Sequence, residues 1–260
     1  MRQAWRLLGI AGLLLRGAAV LLLRFPWLGP AGRAAWLADW AAELIRRTGG
    51  RLRVCGTPPP AGQAALIVAN HVSWLDIHAL HAVLPARFIA KSDVRRWPLI
   101  GWMAEVTGTV FLQRERRTDA GRVHRAMTDL LAAGDCLALF PEGTTSDGRD
   151  LRPFHASLLQ PALDAGAPVW PLAIRYLDGA GAYNPVPAYH GDRSLFDSLR
   201  EILASPGYTV ALDFLPPLQP AGHDRRRLAR AAEAAIRAVL AGAAPDTAPE
   251  TAAHPPADRR

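Results

Sequence analysis

Two cysteines in 260 residues cannot build a disulfide framework. Cys55 and Cys136 each sit among apolar neighbours, so both read as buried free thiols, and the bulk of the chain is expected to face a reducing compartment. Lysine is almost missing: Lys91 is the only one, and the remaining positive charge is arginine. There is no internal repeat, which removes solenoids and propellers. There is no glycine-rich phosphate loop, which removes the P-loop nucleotide enzymes. No nucleic-acid-binding motif is present either.

What is there begins with uneven charge. Residues 1–60 hold nine arginines against Asp39 and Glu43, while the remaining 200 residues balance to zero, so the whole formal charge of +7 lies in the first quarter of the chain. That quarter is also the most apolar. Leu7 to Leu23 reads LLGIAGLLLRGAAVLLL, interrupted only by Arg16. A spanning helix needs roughly 20 apolar residues, so this run fits either a short span or a helix dipping into one leaflet. A second stretch, Ala31 to Ile45, has helical period and puts Trp36 and Trp40 on one face. Together the two read as a helical hairpin at an anionic lipid surface. The rival readings are a signal peptide, which the arginine in its apolar region disfavours, and a buried helical pair in a soluble fold.

Beyond Pro58-Pro59-Pro60 the pattern changes. Short apolar runs at 64–69, 88–90, 106–112, 136–140, 169–176 and 209–215 read as strands, and helical stretches at 74–84, 116–133, 157–166 and 225–240 alternate with them. That alternation predicts an α/β fold with a mostly parallel central sheet flanked by helices. Residues 243–260 are rich in alanine and proline without a period and read as a disordered tail.

Four blocks can carry chemistry. In Asn70-His71-Val72-Ser73-Trp74-Leu75-Asp76, a buried strand gives way to a helix. On one regular helix His71 and Asp76 would point about 140° apart. They meet only if His71 lies on the preceding turn and Asp76 in the first helical turn, with Ser73 as N-cap. A carboxylate holding one imidazole nitrogen leaves the other free to take a proton from an alcohol. The plainer alternative is a capping box in which Asp76 only stabilises the helix start. Phe140-Pro-Glu-Gly-Thr-Thr-Ser146 offers a carboxylate, a flexible glycine and three hydroxyls at a strand end. Gly108 to Arg114 ends on a guanidinium suited to phosphate. In Val169-Trp-Pro-Leu-Ala173 a proline interrupts a strand, which predicts an edge or a bulge.

In this order and spacing, the blocks resemble the glycerolipid acyltransferase family of 1-acylglycerol-3-phosphate acyltransferases, over roughly residues 50–215. The resemblance implies that His71, oriented by Asp76, deprotonates the hydroxyl of a lysophospholipid. That oxygen then attacks the thioester of acyl-CoA or acyl-carrier protein, giving phosphatidic acid when the acceptor is lysophosphatidic acid. It further implies acceptor contacts from Arg114, Glu142, Gly143, Thr144 and Thr145, with Lys91 as a possible phosphate contact, and neither cofactor nor metal. The chain divides accordingly into membrane-anchoring helices (1–48), an acyltransferase domain (49–242) and the tail. The expected setting is the bacterial inner membrane with the site on its cytoplasmic side. The chain departs from the family pattern at Phe154-His155-Ala156-Ser157, where many members carry a basic residue near His155 and a glycine near Ser157. That departure leaves the acceptor head group open, with a lyso-ornithine lipid as the alternative. Two readings from other classes stand beside this one. A metal-dependent hydrolase could use His71, Asp76, His78 and His81. A lipid-binding protein without turnover would need none of these residues.

Overall fold

The computed structural model describes residues 2–97, 99–112 and 117–242. In chain order its elements are α1 (Arg2–Leu23), α2 (Pro30–Arg47), β1 (Gly50–Cys55), β2 (Ala65–Ala69), α3 (Leu75–His81), β3 (Arg87–Lys91), α4 (Ser92–Arg95), α5 (Ile100–Val106), β4 (Val110–Leu112), α6 (Arg117–Ala132), β5 (Cys136–Leu139), α7 (Gln160–Ala165), β6 (Val169–Leu177), α8 (Leu195–Ala204), β7 (Tyr208–Phe214) and α9 (Arg225–Leu240). The seven strands form one sheet in the order β1-β7-β6-β2-β5-β3-β4. Strands β6, β2, β5, β3 and β4 run in the same direction. Strands β1 and β7, parallel to each other, run against them, and the reversal falls at the β6–β7 pair. The mostly parallel α/β sheet expected from the sequence is therefore present.

Side chains alternate across the sheet with the period of two that strands impose. Ile67, Ala69, Ile174, Tyr176 and Leu212 face one side, where Leu75, Ala79 and Leu80 of α3 cover them. Leu66, Val68, Leu137 and Leu139 face the other, under Met127 and Leu131 of α6 and Leu228, Ala232 and Ile236 of α9. Both faces are sealed, which is why β2 reads as an unbroken apolar run.

Several expectations need correction. β1 was not foreseen, because Arg51 and Arg53 hide its alternation. The expected strand 106–112 begins only at Val110: the chain first winds into α5 and then turns at Gly108, whose φ of +93° suits glycine. The expected helix 157–166 divides into a 3-10 turn at Ala156–Leu159 and the short α7. Helix α8 was also missed, although Ser194 caps it by accepting the Asp197 N–H. Pro171 does not mark an edge: β6 is an inner strand with β2 and β7 on either side. Its carbonyl accepts the Leu215 N–H at 3.0 Å.

The apolar N-terminal helix is two-sided. Ile10, Leu13 and Leu21 are buried against the protein, while Trp5, Leu8, Leu15 and Leu22 point outward and are 63–72% exposed. Three polar clamps hold the inner side: Arg47 donates to Gly9 O, Trp40 Nε1 to Leu13 O, and Arg6 to Leu203 O. Gly17 permits the close approach, since a Cβ there would lie 2.6 Å from Trp40 Nε1. Helix α2 in turn belongs to the main core: Ile45 packs with the α3 side of the sheet, and the Thr48 and Tyr208 hydroxyls share a bond of 2.7 Å. The tail from 243 onward lies outside the described residues.

Candidate active site

Parallel strands gather their following loops at one rim, the usual place for a site in such a sheet. Two of the four blocks arrive there from neighbouring strands, His71 just after β2 and Glu142 just after β5. Asn70 closes β2 by imitating one more strand residue, its side-chain amide exchanging two bonds with the Ile174 backbone at 2.9 and 2.7 Å.

His71 Nδ1 lies 2.8 Å from Asp76 Oδ2. The same oxygen accepts the Val72 and Ser73 N–H groups at 2.7 and 2.9 Å, and Asp76 Oδ1 accepts the Tyr176 hydroxyl at 2.7 Å. A fully buried acid that accepts three other donors is an ionised carboxylate, so Nδ1 carries the proton toward it and Nε2 is left with a lone pair. The capping and orienting readings of Asp76 are thus one arrangement: the oxygen that caps the start of α3 also holds the imidazole. Helix α3 begins one residue later than the spacing predicts, and Ser73 Oγ reaches the Leu75 N–H at 3.3 Å.

The imidazole lies flat on Phe140, with centroids 3.8 Å apart and planes within 4°, and Phe88 backs Phe140 at 5.7 Å. A ring held at one edge by a carboxylate and on one face by an aromatic cannot rotate. Its side chain keeps 19% exposure, enough to meet a substrate.

Glu142 ties the two blocks together. One carboxylate oxygen accepts the His71 N–H at 2.7 Å and the other the Arg152 N–H at 2.9 Å. Burial pushes its carboxyl above the usual range, while these two amides pull the other way. Ser146 N–H adds a bond to His71 O at 2.8 Å. Gly143 turns the loop with a φ of +73°, Thr144 is exposed and Thr145 half-buried. Lys91 ends β3 in register with Leu112 of β4. Arg114 lies outside the described residues.

Sequence reasoning missed Tyr176 and Phe140 as parts of this site. Tyr176 comes from β6, 100 residues beyond Asp76, and nothing local announces it. Burial and the neighbouring Asp76 charge raise its hydroxyl well above the usual range, so it remains a donor.

The histidines considered as metal ligands do not converge. His81 Nε2 bonds Ala86 O at 3.1 Å, and His78 packs edge-on against Trp40 and Trp74. Among the described residues no group of three His, Cys, Asp or Glu side chains is placed to hold a metal ion. Burial lowers His78 to about 3 and His81 to about 4 from 6.5. Each must stay neutral in the folded state while the unfolded chain takes up a proton below pH 6.5. Stability is therefore whole above that pH and falls on acidification, on the order of 1.4 kcal/mol per group per unit down to about pH 4. Urea midpoints measured from pH 7 to 5 should fall steeply, and His78→Phe should flatten the slope by about half. The thiols are not poised to carry an acyl group, since burial raises Cys55 and pushes Cys136 up to about 12.

A flat-held, partly exposed imidazole with a buried carboxylate behind it, on a mostly parallel sheet, is equipped to take a proton from a substrate. A family model described as Acyltransferase matches residues 51–175, the stretch that holds every motif above, and the chain belongs to that acyltransferase family. It is 40% identical to the lyso-ornithine lipid O-acyltransferase of Pseudomonas aeruginosa over 82% of this chain and 81% of that one. It is 42% identical to the 1-acyl-sn-glycerol-3-phosphate acyltransferase of Neisseria gonorrhoeae over 72% and 73%. The crystal structure of the 1-acyl-sn-glycerophosphate acyltransferase PlsC from Thermotoga maritima shares the fold, with a TM-score of 0.67 at 23% identity over 93% of this chain and 97% of that one.

Proposed function

We propose that the chain moves a fatty acyl group from a thioester, acyl-CoA or acyl-carrier protein, to the free hydroxyl of a lyso-lipid. Nε2 of His71 takes the hydroxyl proton as the oxygen attacks the thioester carbonyl. The tetrahedral intermediate collapses, the C–S bond breaks, and the imidazolium returns the proton to the leaving thiolate. Asp76 holds the tautomer and stabilises the imidazolium. Tyr176 positions Asp76, and Glu142 fixes the two loops relative to each other. Gly143, Thr144 and Thr145 form the acceptor side, and Arg114 and Lys91 are proposed contacts for a phosphate. Every step draws on these side chains and the thioester alone. The acceptor is one of the kinds that the relatives' names give, 1-acyl-sn-glycerol-3-phosphate or a lyso-ornithine lipid.

The observation that carries this reading is the 2.8 Å His71–Asp76 bond, with the other lone pairs of Asp76 already engaged. The outward stripe of α1 supports a membrane setting, with Phe196 of α8 also 70% exposed. Because its inner side is clamped to the protein, α1 is proposed to lie in one leaflet of the bacterial inner membrane, on the cytoplasmic side, with Arg16 reaching to the interface.

The test is direct. Purified protein is mixed with each thioester donor and a panel of lyso-lipids, and products are read by mass spectrometry alongside free thiol. Diacylated product with equimolar thiol is expected. Thiol release without acylated lipid, or no turnover with any pair, overturns the reading.

A further inference from the structure

Beside the His71–Asp76 pair the surface opens into a cleft of about 320 Å³ lined by Ser146, Asp147, Asp150, Leu151, Arg152 and His190. Its nearness to the reacting centre is set by two bonds already described. Ser146 donates to the His71 carbonyl, and the Arg152 N–H shares the Glu142 carboxylate with the His71 N–H. The cleft therefore adjoins the loop that carries His71.

The lining carries both signs. Asp150 leans on Arg237 at 3.6 Å, so its charge is partly answered from outside the cleft. Arg149 lies over the Tyr183 ring at 4.7 Å. That leaves Asp147 and Arg152. Among the described residues neither has an ion-pair partner: one Asp147 oxygen takes only the Arg149 N–H at 3.1 Å, and Arg152 gives its backbone N–H to Glu142, whose carboxylate its side-chain charge meets only at longer range. An unpaired carboxylate and an unpaired guanidinium in one open cleft, with the His190 imidazole at the wall, complement a ligand that carries a cation and an anion together. A head group that is phosphate alone would gain Arg152 but meet Asp147 as a like charge.

We infer that this cleft selects acceptors with a zwitterionic head group, binding a primary ammonium at Asp147 and the accompanying carboxylate or phosphate at Arg152. The inference rests on the proposed acyl transfer and narrows its acceptor. The shared chemistry is an ammonium beside an anion, which an amino-acid lipid and an aminoethyl phosphodiester lipid both offer.

The experiment compares kcat/KM of the full chain in mixed micelles for three acceptors at equal mole fraction: lyso-ornithine lipid, lysophosphatidylethanolamine and lysophosphatidic acid. At least one ammonium-bearing acceptor is expected to exceed lysophosphatidic acid by about tenfold, and which one identifies the anion. Asp147→Asn should lower that ratio about tenfold, chiefly through KM for the ammonium-bearing acceptor. Asp147→Glu, which keeps the charge, should retain most of it and guards against a folding defect in the first variant. Preference of the wild-type chain for lysophosphatidic acid, or a uniform loss on all three acceptors in Asp147→Asn, overturns the inference while leaving acyl transfer standing. Absence of transfer to any acceptor retires both.

Discussion

His71→Ala should lower kcat for acyl transfer by about 10²–10⁴, the usual contribution of a positioned general base. The fold should survive. His71 is partly exposed, and the loop around it is held by backbone bonds, from His71 N–H to Glu142 and from Ser146 N–H to His71 O, which alanine keeps. Lyso-lipid binding should change little, so the loss belongs in kcat rather than KM. Asp76 is the instructive contrast, since it serves two backbone amides and a tyrosine besides the imidazole. Its removal would leave buried donors without a partner and damage stability as well as rate. Transfer by His71→Ala within a few-fold of wild type, in a protein with an unchanged melting profile, would eliminate the imidazole as the base.

The second large effect concerns the outward face of α1. Leu8, Leu15 and Leu22 follow one another at helical spacing and are 63–70% exposed. Each leucine transferred into hydrocarbon gains roughly 1.5–3 kcal/mol. Replacing all three with aspartate should cut partitioning into anionic vesicles by at least about 100-fold, as measured by co-sedimentation. Because these side chains lie outside the core, the variant should stay folded. A triple variant that still sediments with vesicles would show that another surface holds the membrane. Deleting residues 1–48 is a poorer test, since it would also remove Ile45 and Thr48 from the core beneath.

The sequence announced what depends on neighbours along the chain. The six foreseen strands follow from continuous apolar runs, and the meeting of His71 with Asp76 follows from helical geometry plus a capping serine. It failed where the partner is distant or the signal mixed. Tyr176 meets Asp76 only because β6 lies beside β2, a pairing that no local pattern encodes. Phe140 reads as the last apolar residue of a strand and becomes the platform for an imidazole. Glu142 reads as a substrate contact, and no local pattern shows that its oxygens also accept backbone amides 10 and 71 residues away. β1 was lost because an outer strand tolerates arginines that an inner one would not.

The clamps on α1 have a mechanical meaning. Three bonds pin its inner side, α2 packs on it and on α3, and α3 starts four residues after His71. Packed elements thus join α1 to the loop that carries His71. On the proposed placement of α1 in one leaflet, the depth of the helix sets the height of the imidazole above the lipid tails. On that placement an acceptor would rise only a short way to be acylated and stay within the sheet of lipids to which its product returns.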